Sequence, residues 1–386
     1  MTTAPHGYYT VADQKYISKI SAYAAAVPNN WFPHWNYHEE KFNCVNWTQE
    51  PSESLDELYR QRSLEIRSKH DYVFLSYSGG IDSHNIAMSF FKNGLHIDLM
   101  ASRSSSESYL DDNSNSAENM GKESVLAAVP QVQRLKQYSK NVNFKIIDWG
   151  NDIVSAWGNA KVGTTLLEEQ NTIQANSIVK RKMYEFLPSM EKYNNPVFLY
   201  GVDKPYIYCI NGKFYITFMD FPIHTQVLNE ISLDPCNPFT VLPYYWHPDS
   251  EKILRKQAHI VINWFRANPQ FMPLLNFPHR NADNVPAADR NSTYNAVVNR
   301  LIYSDYDPTV WQTKKLTSEY YDEENHWWHK NSDSSSVQRW IKTVKEQSGL
   351  IYDIFDKADK LNSISRDNKS GFWKLPGCYS KMYALS

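Results

Sequence analysis

The chain has 386 residues, of which 42% are hydrophobic and 21% are charged, a composition typical of a globular protein with more than one domain. Its formal net charge is −2, so no overall charge favours a nucleic-acid or membrane-surface partner. No apolar run is long enough to span a membrane, and the first residues lack the pattern of a signal peptide. The four cysteines are far apart and form no C-x-x-C pair, so we expect a cytoplasmic protein without a zinc cluster or a disulfide framework.

The first part of the chain contains a predicted cap, a helix and a strand. Residues 1–50 are rich in aromatic side chains and prolines, and we expect them to form a cap packed on the next domain. Ser54 and Glu57 have the spacing of a capping box, and the apolar residues after them predict a helix up to about Lys69. The apolar segment 72–77 then predicts a strand.

The most informative segment, Ser78-Gly-Gly-Ile-Asp-Ser83, lies between this strand and an apolar helix pattern that ends near Gly94. Its two glycines allow backbone N–H groups to point inward in conformations that other residues resist. The N–H groups and the positive dipole end of the helix's first turn attract phosphate. Ser78 and Ser83 add hydroxyl donors, and Asp82 can hold Mg²⁺. The segment therefore predicts an anion site.

Strands and helices alternate over the next hundred residues. Strands are predicted at 95–101, 143–149 and 196–200, with helices at 117–138, bent or interrupted near Pro130, and at 177–186. This alternation predicts an α/β fold with a doubly wound parallel sheet. The polar stretch 102–116 follows a strand end that borders the ligand crevice of such a sheet, and it is either a substrate lid or a plain exposed loop.

The pattern changes beyond residue 205. Asn211 and Gly212 separate two apolar segments and predict a hairpin over 206–218. From about residue 231, helical patterns at 249–267, 292–302 and 334–360 predict a mostly α-helical C-terminal domain. The predicted domains are the cap (1–50), the α/β domain with the anion site (51–230) and the helical domain (231–386).

The anion-site segment resembles the S-G-G-x-D-S loop of the N-type ATP pyrophosphatases, the PP-loop family that includes asparagine synthetase, GMP synthetase and NAD synthetase. Enzymes of this family split ATP into AMP and pyrophosphate, and the loop holds the pyrophosphate. The resemblance implies ATP and Mg²⁺ as cofactors and an adenine nucleotide α-hydrolase-like sheet. No Walker A motif occurs in the chain, and the alternative interpretation of the segment is a simple surface turn.

The resemblance also implies a set of nucleotide-binding residues in the loop and at the ends of the two strands beside it. They are Ser76, Ser78, Gly79, Gly80, Ile81, Asp82, Ser83, Met100 and Ala101. Downstream, Asn171–Asn176 and Tyr200–Lys204 occupy the order of two further asparagine synthetase motifs, T-T-I-R-A-S and G-E-G-S-D-E. By that match Asp203 is a second Mg²⁺ candidate and Lys204 a further positive charge, although a turn aspartate and a solvent-facing lysine are the alternatives.

Two other groups of residues are weaker candidates. A basic segment at Lys314 and Lys315 resembles the one that related synthetases place near the α-phosphate, where a lysine would offset charge on the pentavalent phosphorus. His326 and His329 are one helical turn apart, and His84 follows the loop, but no third metal ligand is evident. We therefore expect surface or packing roles for these histidines, with a phosphate contact as the alternative for His84.

The resemblance predicts an ATP-dependent, AMP-forming ligase similar to the synthetase domain of asparagine synthetase without its glutaminase domain. A carboxylate or amide-like oxygen would be adenylated, and because Cys is not the second residue, the nitrogen is expected from ammonia or an amine. The aromatic content is similar to that of phage-encoded relatives, which would place the protein in a host cytoplasm and makes a nucleotide or base the alternative acceptor. A non-catalytic ATP-binding module is a third interpretation, and the sequence is compatible with a homo-oligomer.

Overall fold

The computed structural model describes a large part of the chain. The described residues are 4–103, 128–139, 142–148, 193–201, 204, 206–220, 225–233, 235, 239–275, 287–307 and 378–386. Most of the polar stretch 102–116 and the predicted helices at 177–186 and 334–360 lie outside them.

The described elements alternate between strands and helices over much of the chain. The strands are β1 (Tyr8–Val11), β2 (Gln14–Tyr16), β3 (His34–Asn36), β4 (Tyr72–Ser76), β5 (Asp98–Arg103), β6 (Phe144–Asp148), β7 (Pro196–Tyr200), β8 (Tyr206–Ile210), β9 (Lys213–Thr217), β10 (Thr240–Pro243) and β11 (Tyr383–Ala384). The α-helices are α1 (Lys19–Ala26), α2 (Glu39–Phe42), α3 (Leu55–Lys69), α4 (Ile81–Phe91), α5 (Val129–Tyr138), α6 (Thr225–Leu233), α7 (Glu251–Ala267) and α8 (Ala287–Ile302). Short 3-10 helices cover Val27–Asn29, Pro248–Ser250 and Pro269–Leu275.

The central sheet has five parallel strands in the order β10-β7-β4-β5-β6, with helices on both sides. This confirms the predicted α/β class. Every residue of β7 and the middle of β4 are buried, which explains why these strands are continuous apolar runs rather than alternating ones. The chain adds β5 and β6 on one side of β4 and then returns to add β7 and β10 on the other. The direction of strand addition therefore reverses between β4 and β7.

The helix boundaries around β4 follow local chemistry. The Ser54 hydroxyl accepts a hydrogen bond from the Glu57 N–H at 3.2 Å, and α3 begins directly after this cap, as predicted. At the end of α4, Gly94 has φ 67, and the Leu95 N–H donates to the Phe90 carbonyl at 3.0 Å. Residues 94–97 connect the end of α4 to the next strand. β5 therefore begins at Asp98 and not at Leu95 as predicted.

Three further predictions concern the middle of the chain. The hairpin is confirmed: β8 and β9 pair antiparallel around Asn211 (φ 52) and Gly212 (φ 76), the backbone conformation of a type I′ turn. The predicted third and fourth strands correspond to β6 and β7. Pro130 lies in the first turn of α5, a position where its missing N–H costs no helix hydrogen bond, and residues 117–127 of the predicted helix lie outside the described ranges.

The prediction of a mostly α-helical domain after residue 231 missed β10, which pairs in parallel with β7 at the edge of the sheet. This strand has only four residues, Thr-Val-Leu-Pro, and is too short to show a periodic pattern. Its proline is tolerated because the strand lies at an edge. The central sheet therefore contains residues from both sides of the predicted boundary at 230. The predicted helices at 249–267 and 292–302 correspond to α7 and α8.

A buried polar cluster around Asp220 connects three distant parts of the chain: α1, the segment after the hairpin and the segment that begins at Cys378. Lys19 Nζ lies 2.8 Å from Asp220 Oδ2, and both side chains are almost completely buried. The Tyr9 hydroxyl donates to the same carboxylate at 2.9 Å, and the Cys378 N–H donates to its other oxygen at 3.0 Å. Burial, and then the Asp220 charge, raises the pKa of the Cys378 thiol to about 12, so this cysteine stays protonated and unreactive at neutral pH.

The other described cysteines, Cys44 and Cys209, are also free thiols. None of the described helices has the length and apolar character needed to cross a membrane.

Three histidines lie near one another, of which His6 is buried and His38 and His247 are partly buried. Burial is the largest cause that lowers the pKa of His6 to about 3, of His38 to about 4 and of His247 to about 3. The rings of His38 and His247 are 5.9 Å apart, and the His6 ring is held by the hydroxyl of Tyr200 at 3.1 Å. All three are therefore neutral in the folded protein at pH 7.

We expect these histidines to make the fold acid-sensitive. Between the ordinary histidine pKa of about 6.5 and the lowered values, the unfolded chain binds protons that the folded chain does not, so stability falls as the pH drops through this window. Each histidine should contribute a slope of about 1.4 kcal/mol per pH unit. His38→Asn should make the measured slope shallower by about that amount, and asparagine tolerates the left-handed backbone at φ 49.

Urea unfolding at several pH values measures the slope. His96→Asn is the control, because it makes the same substitution at a histidine whose side chain is half exposed. A slope in His38→Asn as steep as in the unaltered protein would contradict the prediction.

Candidate functional site

The loop between β4 and α4 lies at the carboxyl end of the central strand, beside the point where the strand order reverses. Gly79 has φ 71, a left-handed conformation that a residue with a side chain adopts only at a cost. Gly80 is the extended residue that precedes the first helical turn. In parallel α/β sheets, ligands bind at the carboxyl ends of the strands next to such a reversal. The predicted anion site therefore occupies the position that the topology favours for a ligand.

The loop serines hold the shape of the loop. The Gly80 N–H donates to Ser78 Oγ at 3.2 Å, and Ser83 Oγ donates to the Gly80 carbonyl at 3.0 Å. The two serine hydroxyls are themselves 3.4 Å apart. Ser78 is exposed and Ser83 is buried, so Ser78 is the serine that a ligand can reach directly.

The sheet brings the predicted residues of the second strand to the loop. Ser76 is in register with Met100 of β5, and the Tyr77 N–H donates to the Met100 carbonyl at 2.7 Å. Ala101 is the next residue of the same strand, and both Met100 and Ala101 are buried. Ser76, Met100 and Ala101 thus lie on adjacent strands beside the loop, and their contacts with a nucleotide stay predictions.

Asp82 and Lys204 form an ion pair at the start of α4. Lys204 Nζ is 2.9 Å from Asp82 Oδ1 and 3.2 Å from Oδ2. The lysine side chain is 3% exposed and the aspartate 18% exposed, so the ammonium is buried and the carboxylate reaches solvent along one side. Lys204 follows β7, the neighbour of β4, and this adjacency brings the two charges together. The alternative of a solvent-facing lysine is wrong.

Two tyrosines complete the surroundings of Asp82. The Tyr303 hydroxyl donates to Asp82 Oδ1 at 2.5 Å, and the Tyr245 hydroxyl donates to the Asp82 main-chain carbonyl at 2.9 Å. Asn85 donates in turn to the Tyr245 oxygen at 2.9 Å. Burial is the largest cause that raises the pKa of both tyrosines, and the Asp82 charge adds to it, so both hydroxyls remain donors.

Tyr245 and Tyr303 were not among the site residues predicted from the sequence. Tyr303 directly follows α8, and Tyr245 follows β10, the strand that was not predicted. With 26 tyrosines in the chain, neither residue carries a local pattern that separates it from a packing tyrosine.

Gly201 sets how closely β7 can approach the first turn of α4. A methyl group at this position would lie 3.0 Å from Ile86 Cδ1 and 3.3 Å from the Ser83 nitrogen. These distances are tighter than ordinary contacts, so a side chain here would push the two segments apart. The close approach therefore keeps the chain that leads to Lys204 near Asp82.

His84 faces the interior and not the anion site. Its Nδ1 lies 3.0 Å from the Tyr77 hydroxyl, and its ring is buried. Burial is the largest cause that lowers its pKa to about 4, so the ring is neutral and offers no positive charge to a phosphate. This confirms the packing role for His84.

Several predicted residues lie outside the described part of the chain. They are Asp203, Lys314, Lys315, His326, His329 and the segment 171–176. Their roles stay predictions. Within the described ranges, no group of three or more His, Cys, Asp or Glu residues is arranged to hold a metal ion.

The described donor set fits a cation that arrives with phosphate groups. Mg²⁺ is usually bound by one or two carboxylates together with substrate phosphates and waters, and Asp82 supplies one carboxylate with an exposed side. A cage made only of protein ligands is not formed by the described residues.

The sequence matches none of the protein-family models searched, and no curated protein is significantly similar to it.

The ion pair has a consequence for stability. We expect Asp82→Ala to lower the free energy of unfolding by about 3–5 kcal/mol, because it removes a carboxylate that pairs with the buried Lys204 ammonium at 2.9 Å. Asp305→Ala is the matched control: Asp305 pairs with Lys92 at 2.8 Å, but these side chains are 28% and 45% exposed. That variant should cost less than about 1 kcal/mol.

Urea unfolding of both variants, and of Asp82→Ala combined with Lys204→Met, measures the effect. The double variant should recover most of the loss, since it removes the buried charge as well. Equal costs for Asp82→Ala and Asp305→Ala would contradict a structural role for the pair.

Proposed function

We propose that the chain is an ATP-dependent, AMP-forming ligase of the N-type ATP pyrophosphatase class, with a doubly wound, adenine nucleotide α-hydrolase-like sheet. The observation that carries the proposal is the position of the Ser78–Ser83 loop. It leaves the central strand at the reversal of strand order, passes through a left-handed glycine and enters the N-terminus of α4. A loop of this kind suits a polyphosphate, because backbone N–H groups and the helix dipole face the same space.

The charges near the loop suit a departing pyrophosphate. Pyrophosphate leaves readily only when its negative charge is neutralised. The Lys204 ammonium lies within 3.2 Å of both Asp82 oxygens and supplies a positive charge at the start of α4. Mg²⁺, when bound with the triphosphate, would supply further neutralisation, and Asp82 is the described residue that would hold it. Asp203, Lys314 and Lys315 are proposed to add to this site.

The proposed chemistry needs no covalent bond to the protein. A substrate carboxylate oxygen attacks the α-phosphorus of ATP, the bond to the β-phosphate oxygen breaks, and pyrophosphate leaves towards the loop. Ammonia or an amine then attacks the acyl carbon of the adenylate, AMP departs with the carbonyl-bound oxygen, and the nitrogen loses a proton. Positioning and charge stabilisation are the protein's contribution. This agrees with the protonated state of Cys378, which is no candidate nucleophile.

The direct test is incubation of the protein with α-labelled ATP, Mg²⁺ and separate pools of carboxylates with amines and of nucleotides. AMP and pyrophosphate that appear only with the carboxylate and amine pool would support the proposal. Turnover only with the nucleotide pool would favour the alternative acceptor, a nucleotide or base. Formation of ADP, or ATP binding without turnover in any pool, would contradict the ligase assignment.

A matched pair of glycine variants ties the activity to the loop. Gly79 (φ 71) and Gly94 (φ 67) flank α4 at opposite ends with nearly the same backbone conformation. Alanine at either position should cost about 1–2 kcal/mol of backbone strain. We expect Gly79→Ala to weaken ATP binding by about tenfold or more, since it distorts N–H groups aimed at phosphate. Gly94→Ala should leave ATP binding unchanged, and equal losses in both variants would contradict the assigned site.

A further inference from the structure

The Asp82 carboxylate is already engaged in the structure. Its Oδ1 accepts hydrogen bonds from Lys204 Nζ at 2.9 Å and from the Tyr303 hydroxyl at 2.5 Å, and Oδ2 lies 3.2 Å from the same ammonium. The residue that would hold a divalent cation therefore already has a positively charged partner.

Burial holds that partner close to the carboxylate. The Lys204 side chain is 3% exposed, and moving a buried ammonium away from a carboxylate without a replacement is unfavourable. A divalent cation on the same carboxylate would lie within a few ångströms of the ammonium, in a partly buried site where screening by water is weak. The ammonium and a cation therefore compete for the same two oxygens.

We propose that Lys204 and a divalent cation compete for Asp82, and that the phosphates of a nucleotide release this competition. The inference rests on the proposed function for the identity of the phosphates. Lysine is a compact charge on a flexible stem, so its ammonium can turn from a carboxylate oxygen to a phosphate oxygen. The cation then binds Asp82 in company with the phosphates. Lys204 is thereby a positioning residue that makes cation binding depend on nucleotide.

Tyr303 is a second partner of the Asp82 carboxylate. Its hydroxyl donates to Asp82 Oδ1 independently of Lys204, from the residue that follows α8. The Tyr245 hydroxyl holds the main-chain carbonyl of the same residue at 2.9 Å. The carboxylate therefore keeps its orientation while its positive partner changes.

The test uses Mn²⁺ alone as the probe, with free Mn²⁺ measured by electron paramagnetic resonance. Without nucleotide, the unaltered protein should bind Mn²⁺ weakly, and Lys204→Met should bind it about tenfold or more tightly, because the competing charge is gone. Lys204→Gln is a second neutral variant in case the first folds poorly, and circular dichroism checks the fold of each.

Three further variants locate the effect. Lys204→Arg keeps the positive charge and should show no gain. Asp82→Asn combined with Lys204→Met should lose the gained Mn²⁺ affinity, since the carboxylate is removed. Lys252→Met removes a lysine that is 52% exposed and pairs with Glu53 at 2.7 Å, and it should also show no gain.

ATP binding is measured separately, so that failure of this inference and failure of the proposed function can be told apart. Without a gain of Mn²⁺ affinity in well-folded Lys204→Met and Lys204→Gln, the competition is overturned, even if ATP binds. A gain that survives loss of the Asp82 carboxylate overturns it as well. If the gain appears but ATP does not bind the unaltered protein, the competition stands and the proposed function fails.

Discussion

The buried ammonium of Lys204 is the constraint around which this site is arranged. It needs a counter-charge because its side chain is almost completely removed from water, and Asp82 supplies that charge from the first turn of α4. The pair joins the segment after β7 to the loop after β4, and these two strands are neighbours in the parallel sheet. The approach is close, because a methyl group at position 201 would be tightly packed against Ile86 and the first turn of α4. The geometry of the loop therefore depends on a residue that follows it by more than a hundred positions.

Hydrogen bonds of further tyrosine hydroxyls connect the elements around this ion pair. Beyond the tyrosines at Asp82, the Tyr59 hydroxyl donates to the Ile302 carbonyl at 2.9 Å, and Tyr244 donates to the Tyr59 carbonyl at 2.9 Å. These bonds tie α3, α8 and the segment after β10 to one another. Each tyrosine buries an aromatic ring and pairs its hydroxyl, so it adds packing without an unsatisfied polar group. The high aromatic content of the chain thus has a packing function in the described region.

A second buried ion pair joins the N-terminal region to the segment after the hairpin. Lys19 of α1 and Asp220, which follows the hairpin, are both removed from water, and Cys378 brings a distant segment to the same carboxylate. The cap predicted from the aromatic residues of the N-terminal region is thereby anchored by polar groups and not by aromatic packing alone. Residues 383–384 extend the hairpin sheet beside β9, so this sheet also joins distant parts of the chain.

The sequence by itself determined the elements whose signals are local. The Ser54 cap, the Asn211-Gly212 turn and the strand–glycine–helix order of residues 72–91 each depend on neighbouring residues, and backbone conformation responds to such neighbours directly. Only the tertiary structure decided that β10 joins the sheet and that Lys204, Tyr245 and Tyr303 meet at Asp82. The physical reason is that these contacts join residues 122 to 221 positions apart, and strand order, which no local pattern encodes, brings them together.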